Sequence, residues 1–129
     1  MERFLLICLG GAIGSGLRYA VSMLAMRWIG ADFPYGTLIV NVVGSFLIGL
    51  IQQTATTTLP IPEATRLFLT VGIMGGLTTY SSFSYETVQL VAVGAWGRAS
   101  VNVLATTALC LAVCFLGIAA ARLLAGARI

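Results

Sequence analysis

Residues 72–84 read Gly72-Ile73-Met74-Gly75-Gly76-Leu77-Thr78-Thr79-Tyr80-Ser81-Ser82-Phe83-Ser84. Three glycines followed by a run of hydroxyls make a poor continuous helix. Glycine is about 1 kcal/mol worse than alanine in a helix interior, and Ser and Thr hydroxyls compete for backbone groups. Yet the sequence on both sides is apolar, so the stretch is expected in the middle of a membrane span of about 62–92. Non-helical backbone at membrane depth survives only where protein or a water-filled cavity covers it. A Gly-rich break here implies carbonyls and amides facing a site, a device by which broken helices hold ions. The alternative is a kink that serves packing.

Moving outward, the composition supports a membrane setting. The chain has 129 residues, of which 59% are hydrophobic and 9% charged, with a mean hydropathy of +1.02. Soluble domains carry about 25% charged residues, so this chain cannot cover a water-facing surface. At about 20 apolar residues per crossing, it has room for four spans and no soluble domain. The spans are expected at about 3–29, 36–56, 62–92 and 99–124, forming one transmembrane domain over 1–129. The fold class is all-α, with the third of four transmembrane helices broken at its middle.

The connections carry their own signals. Gly30-Ala31-Asp32-Phe33-Pro34 ends the first span, and Thr57, Thr58, Leu59 and Pro60 follow the second. Pro62 and Glu63 suit a first helical turn. The N-terminus runs straight into apolar sequence without a cleavage site, and is expected as a retained span rather than a signal peptide.

Charge and cysteine usage exclude several function classes. Seven Arg face Glu2, Asp32, Glu63 and Glu86, giving +3, and His is absent. Without His there is no imidazole for a proton relay, a metal or a Ser-His triad. No nucleophile–base pair or metal cluster stands out, so an enzyme is not expected, and neither is a nucleic-acid partner. Cys8, Cys110 and Cys114 sit in apolar stretches as small hydrophobes. With the N-terminus inside, Arg3, Arg66, Arg122 and Arg128 flank the inner ends and Arg27 and Arg98 the outer ones. So weak a positive-inside bias allows insertion in both orientations and antiparallel pairing of two copies.

Polar residues recur at helical spacing. Thr37, Asn41, Ser45 and Gln52 share a face in span two. Thr79, Ser82 and Glu86 share one in span three, with Tyr80 and Phe83 beside it. Asn102, Thr106 and Cys110 share one in span four. Polar groups in hydrocarbon must face the bundle interior, a partner or water. Interhelical hydrogen bonding could explain one stripe, whereas three donor-rich stripes look like the wall of a conduit. Hydroxyl and amide hydrogens and aromatic ring edges suit an anion. Arg18 adds positive potential; it could contact the ion, or snorkel or brace a helix contact on the face it shares with Gly10 and Gly14.

The runs GGAIGSGLRY at 10–19, GTLIVNVVGSFLIG at 36–49 and GIMGGLTTYSSFSYET at 72–87 resemble the Fluc (CrcB) family of fluoride channels. The resemblance implies a bacterial inner-membrane protein that exports cytoplasmic fluoride passively as an antiparallel, dual-topology homodimer. It also implies a structural sodium ion held by the main-chain carbonyls of Gly75 and Thr78 from both chains. The pore asparagine falls on Asn41, two stacked aromatics on Tyr80 and Phe83, and a hydroxyl track on Thr79, Ser81 and Ser82 toward Glu86. The family arginine falls on Arg18. Thr37 and Thr106 join the path on spacing, with Asn102 beside Thr106. The family has Phe at the position of Tyr80, so altered permeation is expected. The alternatives are a proton-coupled four-span exporter, for which Glu86 would be the intramembrane carboxylate, and a non-transporting helper subunit packed through small residues.

Overall fold

A computed structural model describes residues 1–57 and 59–126. Thr58, placed above in the second connection, and Arg128, counted among the basic flanks, lie outside the described residues. Among the described residues the chain is all-helical. Helix α1 spans Glu2–Trp28, α2 Tyr35–Thr57 and the last helix, α6, Trp96–Gly126. These three are long and apolar enough to cross a membrane. At about 1.5 Å per residue, the 27 residues of α1 extend about 40 Å. Their outward side chains include Leu5, Leu9, Leu104, Leu111, Phe115 and Leu116, all more than half exposed on this chain. Such a surface belongs in lipid or against another apolar face.

The path from 63 to 92 is built in pieces. Pro62, with φ −52°, caps α3 (Glu63–Leu67). Helical backbone continues through a π turn, Phe68–Met74, into α4 (Gly75–Leu77). Thr78 (φ −77°, ψ 155°) and Thr79 (φ −154°, ψ 116°) are then extended, and α5 runs Tyr80–Ala92. The sequence places the interruption among the glycines. The structure instead keeps Gly75 helical (φ −61°, ψ −38°) and puts the two non-helical residues at the threonines.

Packing explains why the glycines stay helical. A Cβ on Gly76 would lie 2.5 Å from the Gly11 carbonyl oxygen and 3.0 Å from the Ser15 nitrogen. A Cβ on Gly10 would lie 2.7 Å from the Phe68 carbonyl oxygen and 2.9 Å from Gly72 Cα. Small residues let α1 lie backbone to backbone against the third segment, where dispersion rather than a hydrophobic drive joins helices in lipid. Helices α2 and α6 approach in the same way, with a Gly49 Cβ position 2.5 Å from the Cys114 carbonyl oxygen. The buried core is Val40, Met74 and Leu77, flanked by Val21, Leu47 and Ile73.

Polar ties mark the two ends. Arg3 and Glu63 pair at 3.0 Å at one end, and at the other Arg98 donates to the Asp32 carbonyl at 3.1 Å. Both partners of the first pair are more than half exposed, where an ion pair contributes about 0–1 kcal/mol. All three cysteines are free: Cys8 is exposed, and Cys110 and Cys114 are half-buried.

The close approach predicts opposite outcomes for two neighbouring glycines. In Gly14→Ala the new methyl would overlap the Ile73 carbonyl oxygen, lowering stability by about 1–3 kcal/mol. Nothing lies within 4 Å of a Cβ on Gly11, so Gly11→Ala is expected to stabilise by up to about 1 kcal/mol. Thermal unfolding of both variants in detergent checks the pair, and equal melting temperatures would remove the packing account.

Candidate functional site

The site begins with two residues that left the helix. Once Thr79 is extended, its N–H and C=O have no helical partners, and Thr79 is buried. Asn41, one and a half turns into α2, supplies both. The Thr79 N–H donates to Asn41 Oδ1 at 2.8 Å, and Asn41 Nδ2 donates to the Thr79 carbonyl at 3.1 Å. A primary amide matches a peptide group in this way because it carries one acceptor and a donor side by side. The Thr79 N–H can only donate, which fixes the orientation of the Asn41 amide.

The Thr79 hydroxyl caps α5 by accepting from the Ser82 N–H at 3.2 Å. It donates to Ser82 Oγ at 3.1 Å and lies 3.2 Å from Ser81 Oγ. With its one proton given to Ser82, the Thr79 oxygen accepts from Ser81. The Ser82 hydroxyl therefore accepts from Thr79, and its own proton has no acceptor among the described residues. That proton is available to an anion.

The same bonds free two carbonyls. In an unbroken helix the Thr79 N–H would go to the Gly75 carbonyl and the Ser82 N–H to the Thr78 carbonyl. Both donors are drawn away, to Asn41 and to the Thr79 hydroxyl. Gly75 is exposed on this chain and Thr78 half-buried.

Around this point lies an open cleft of about 460 Å³ that brings together Asn41, Gly75, Thr78, Thr79, Tyr80, Phe83 and Thr106. Ser45 and Cys110 also line it, whereas Gln52 is exposed and sits 3.4 Å from Arg66. The Tyr80 and Phe83 rings are 5.4 Å apart and tilted by 53°, a tilted pair rather than the stacked one the resemblance implies. Phe83 is buried and Tyr80 is 79% exposed, so the body of this chain holds only one of the two rings.

Thr37 and Glu86 meet at a second cleft of about 330 Å³, lined also by Phe33, Tyr35, Tyr85 and Gln89. Thr37 Oγ1 donates to Glu86 Oε1 at 2.8 Å, and Glu86 Oε2 is buried with no hydrogen-bond partner. Arg18 joins neither cleft. It is half-buried on α1, without a hydrogen bond or ion pair among the described residues.

Sequence reasoning missed Thr87. Its hydroxyl donates to the Phe83 carbonyl at 2.7 Å and accepts from Asn102 Nδ2 at 2.9 Å. Its place one turn beyond Phe83 was the available signal.

These helices and clefts define a multi-pass α-helical membrane protein with hydrogen-bond donors and free carbonyls gathered around an interrupted segment. A family model described as CrcB-like protein, Camphor Resistance (CrcB), matches residues 5–118, and the chain belongs to that family. A protein of Anaeromyxobacter dehalogenans named fluoride-specific ion channel FluC is 52% identical over 126 residues, covering 98% of this chain and 100% of the relative. Relatives of the same name come from Sorangium cellulosum, 47% identical over 98% of this chain and 100% of the relative, and from Geobacter metallireducens, 51% identical over 90% and 94%.

The Asn41 clamp yields a stability prediction. Asn41→Ala leaves a buried N–H and a buried carbonyl without partners, and the expected loss is about 2 kcal/mol or more. Asn41→Asp keeps the acceptor for the Thr79 N–H but sets a buried carboxylate oxygen against the Thr79 carbonyl, and should be no more stable than Asn41→Ala. Denaturant or thermal unfolding in detergent measures the order, and an alanine variant as stable as wild type would refute the clamp.

Proposed function

We propose that this chain is a fluoride-selective channel through which cytoplasmic fluoride leaves a bacterial cell passively across the inner membrane. The observation that carries the reading is near-full-length identity, 52% over 98% of the chain, to a relative named for that activity. Donor geometry supports it. Fluoride is small and strongly hydrated, so a selective path must replace its water with closely placed donors. The Asn41 amide and the positive ring edges of Tyr80 and Phe83 offer such groups in one cleft, and the Ser82 hydroxyl, which lines neither cleft, adds a donor through its contact with Thr79. Thr79, Ser81 and Ser82 precede, along the chain, Glu86, which meets Thr37 at the second cleft, and Thr106 lines the first. Larger halides would fit a narrow lining of this kind badly.

The reading includes an antiparallel homodimer. Gly75 and Tyr80 are exposed half-way along the bundle, where lipid could not satisfy bare carbonyls, and a second copy would cover them. Arg3, Arg66 and Arg122 at one end against Arg27 and Arg98 at the other is a weak orientation signal, compatible with dual topology. A sodium ion fits the same place, because the Gly75 and Thr78 carbonyls have lost their helical donors and carbonyl oxygens suit a hard cation. Two carbonyls from each of two chains would hold it, and the ion would supply positive charge at the dimer centre. Arg18 would contribute positive potential from α1 without touching the path.

Purified protein in liposomes tests this. Fluoride-loaded vesicles, with potassium flow short-circuited by an ionophore, should empty rapidly while chloride-loaded ones do not. Vesicles that retain fluoride for both wild type and Tyr80→Phe would overturn the reading. Tyr80→Phe is expected to change the rate, since it removes a hydroxyl from the cleft; equal rates would place that hydroxyl off the path. Glu86→Gln separates a channel from a proton-coupled exporter: a channel should lose rate modestly, and an exporter should stop.

A further inference from the structure

We propose that Asn102 is a positioning residue that fixes α5, and with it the Tyr80–Phe83 pair, against α6. Its bearing on ion flow rests on the fluoride-channel reading. Helical spacing offered Asn102 as a lining residue beside Thr106. In the structure it is 1% exposed and lines neither cleft. Both ends of its amide are committed. Nδ2 donates to Thr87 Oγ1 at 2.9 Å, and Oδ1 accepts from Thr106 Oγ1 at 3.4 Å. Thr87 in turn donates its only hydroxyl proton to the Phe83 carbonyl at 2.7 Å. A chain of hydrogen bonds thus runs from α6 to the main chain of Phe83.

Helix α5 depends on such ties. It follows two extended residues, so no helical continuity orients it. Among the described elements it packs only against α6 and α2, and Phe83 is its one buried residue. Three polar ties reach it: Asn41 to Thr79, Thr37 to Glu86 and Asn102 to Thr87. The first two use groups placed in the ion path. The third joins Thr87 and Asn102, neither of which lines a cleft, and its chemistry is one-directional. Thr87 gives its proton to Phe83, so Asn102 acts as the donor. A carboxylate of the same shape would have to draw that proton away from Phe83 and would carry a charge into a buried contact.

The test uses the full-length protein with Asn102→Leu, Asn102→Asp, Thr87→Val, Thr87→Ser and the Leu/Val double variant. Hydrogen exchange of the amides of residues 80–92 reads the position of α5 independently of transport, and fluoride efflux from liposomes reads the consequence. Asn102→Leu, Asn102→Asp and Thr87→Val should each speed exchange in α5 about fivefold, the scale of one hydrogen bond. Each should slow efflux by a similar factor or more, the double variant should be no worse than either single one, and Thr87→Ser, which keeps both bonds, should match wild type. Unchanged α5 exchange in Asn102→Leu would overturn the proposal, as would additive single effects or faster exchange spread evenly over all helices. A wild type that releases no fluoride, combined with an effect confined to α5, would sink the channel reading and leave the positioning role standing.

Discussion

Everything in this fold depends on the two hydrogen bonds between the Asn41 amide and the main chain of Thr79. In hydrocarbon an unpaired backbone group costs several kcal/mol, so a chain cannot leave a helix at mid-depth unless another side chain takes over its bonds. Asn41 is 38 residues away and takes over both. The Thr79 hydroxyl then starts α5 as an N-cap, a role in which a Thr side-chain oxygen contributes about 1 kcal/mol. Two polar side chains thereby replace the continuity that a helix would have provided.

The glycines solve a different problem. They are not where the helix ends; they are where it is pressed. Gly10 and Gly14 on α1 meet Gly72, Ile73 and Leu77 on the third segment, and that contact needs helical backbone on both sides to stay flush. A rigid seam up to Leu77 followed by two extended residues confines the irregularity to Thr78 and Thr79. Gly44 completes the accommodation on α2, since a Cβ there would collide with the Thr78 methyl.

How much of this was legible follows from the range of each interaction. Hydropathy marks apolar spans because a span is a local property, and Pro62 caps α3 as its fixed φ suggests. The interruption fell among the glycines on propensity, which is also local. Its real position was set by Asn41 and by the α1 seam, partners that no window around residue 75 contains. Helical spacing brought Thr37 and Glu86 onto faces that do meet, yet it could not show that Asn102 turns away from the cleft or that Thr87 receives it. Nor could it show that Arg18 stays outside both clefts, since a face shared with Gly10 and Gly14 fits packing and ion contact equally.

One interruption creates groups of both polarities, and it does so through bookkeeping of protons. When the Thr79 N–H goes to Asn41 and the Ser82 N–H goes to the Thr79 hydroxyl, two carbonyls lose donors, and one serine hydroxyl, accepting from Thr79, keeps a proton without an acceptor among the described residues. The carbonyls belong to Gly75 and Thr78 on the α4 side of the break, and the free proton belongs to Ser82 on the α5 side. Acceptors and donors are thus separated along the chain by the break itself, with no charged residue at the point of interruption. A site for a cation and a path for an anion can then adjoin in a membrane without burying a carboxylate or a guanidinium there, groups whose desolvation would cost far more than that of hydroxyls and peptides. The half-buried acid, Glu86, sits two turns farther along α5, and there Thr37 already donates to one of its oxygens.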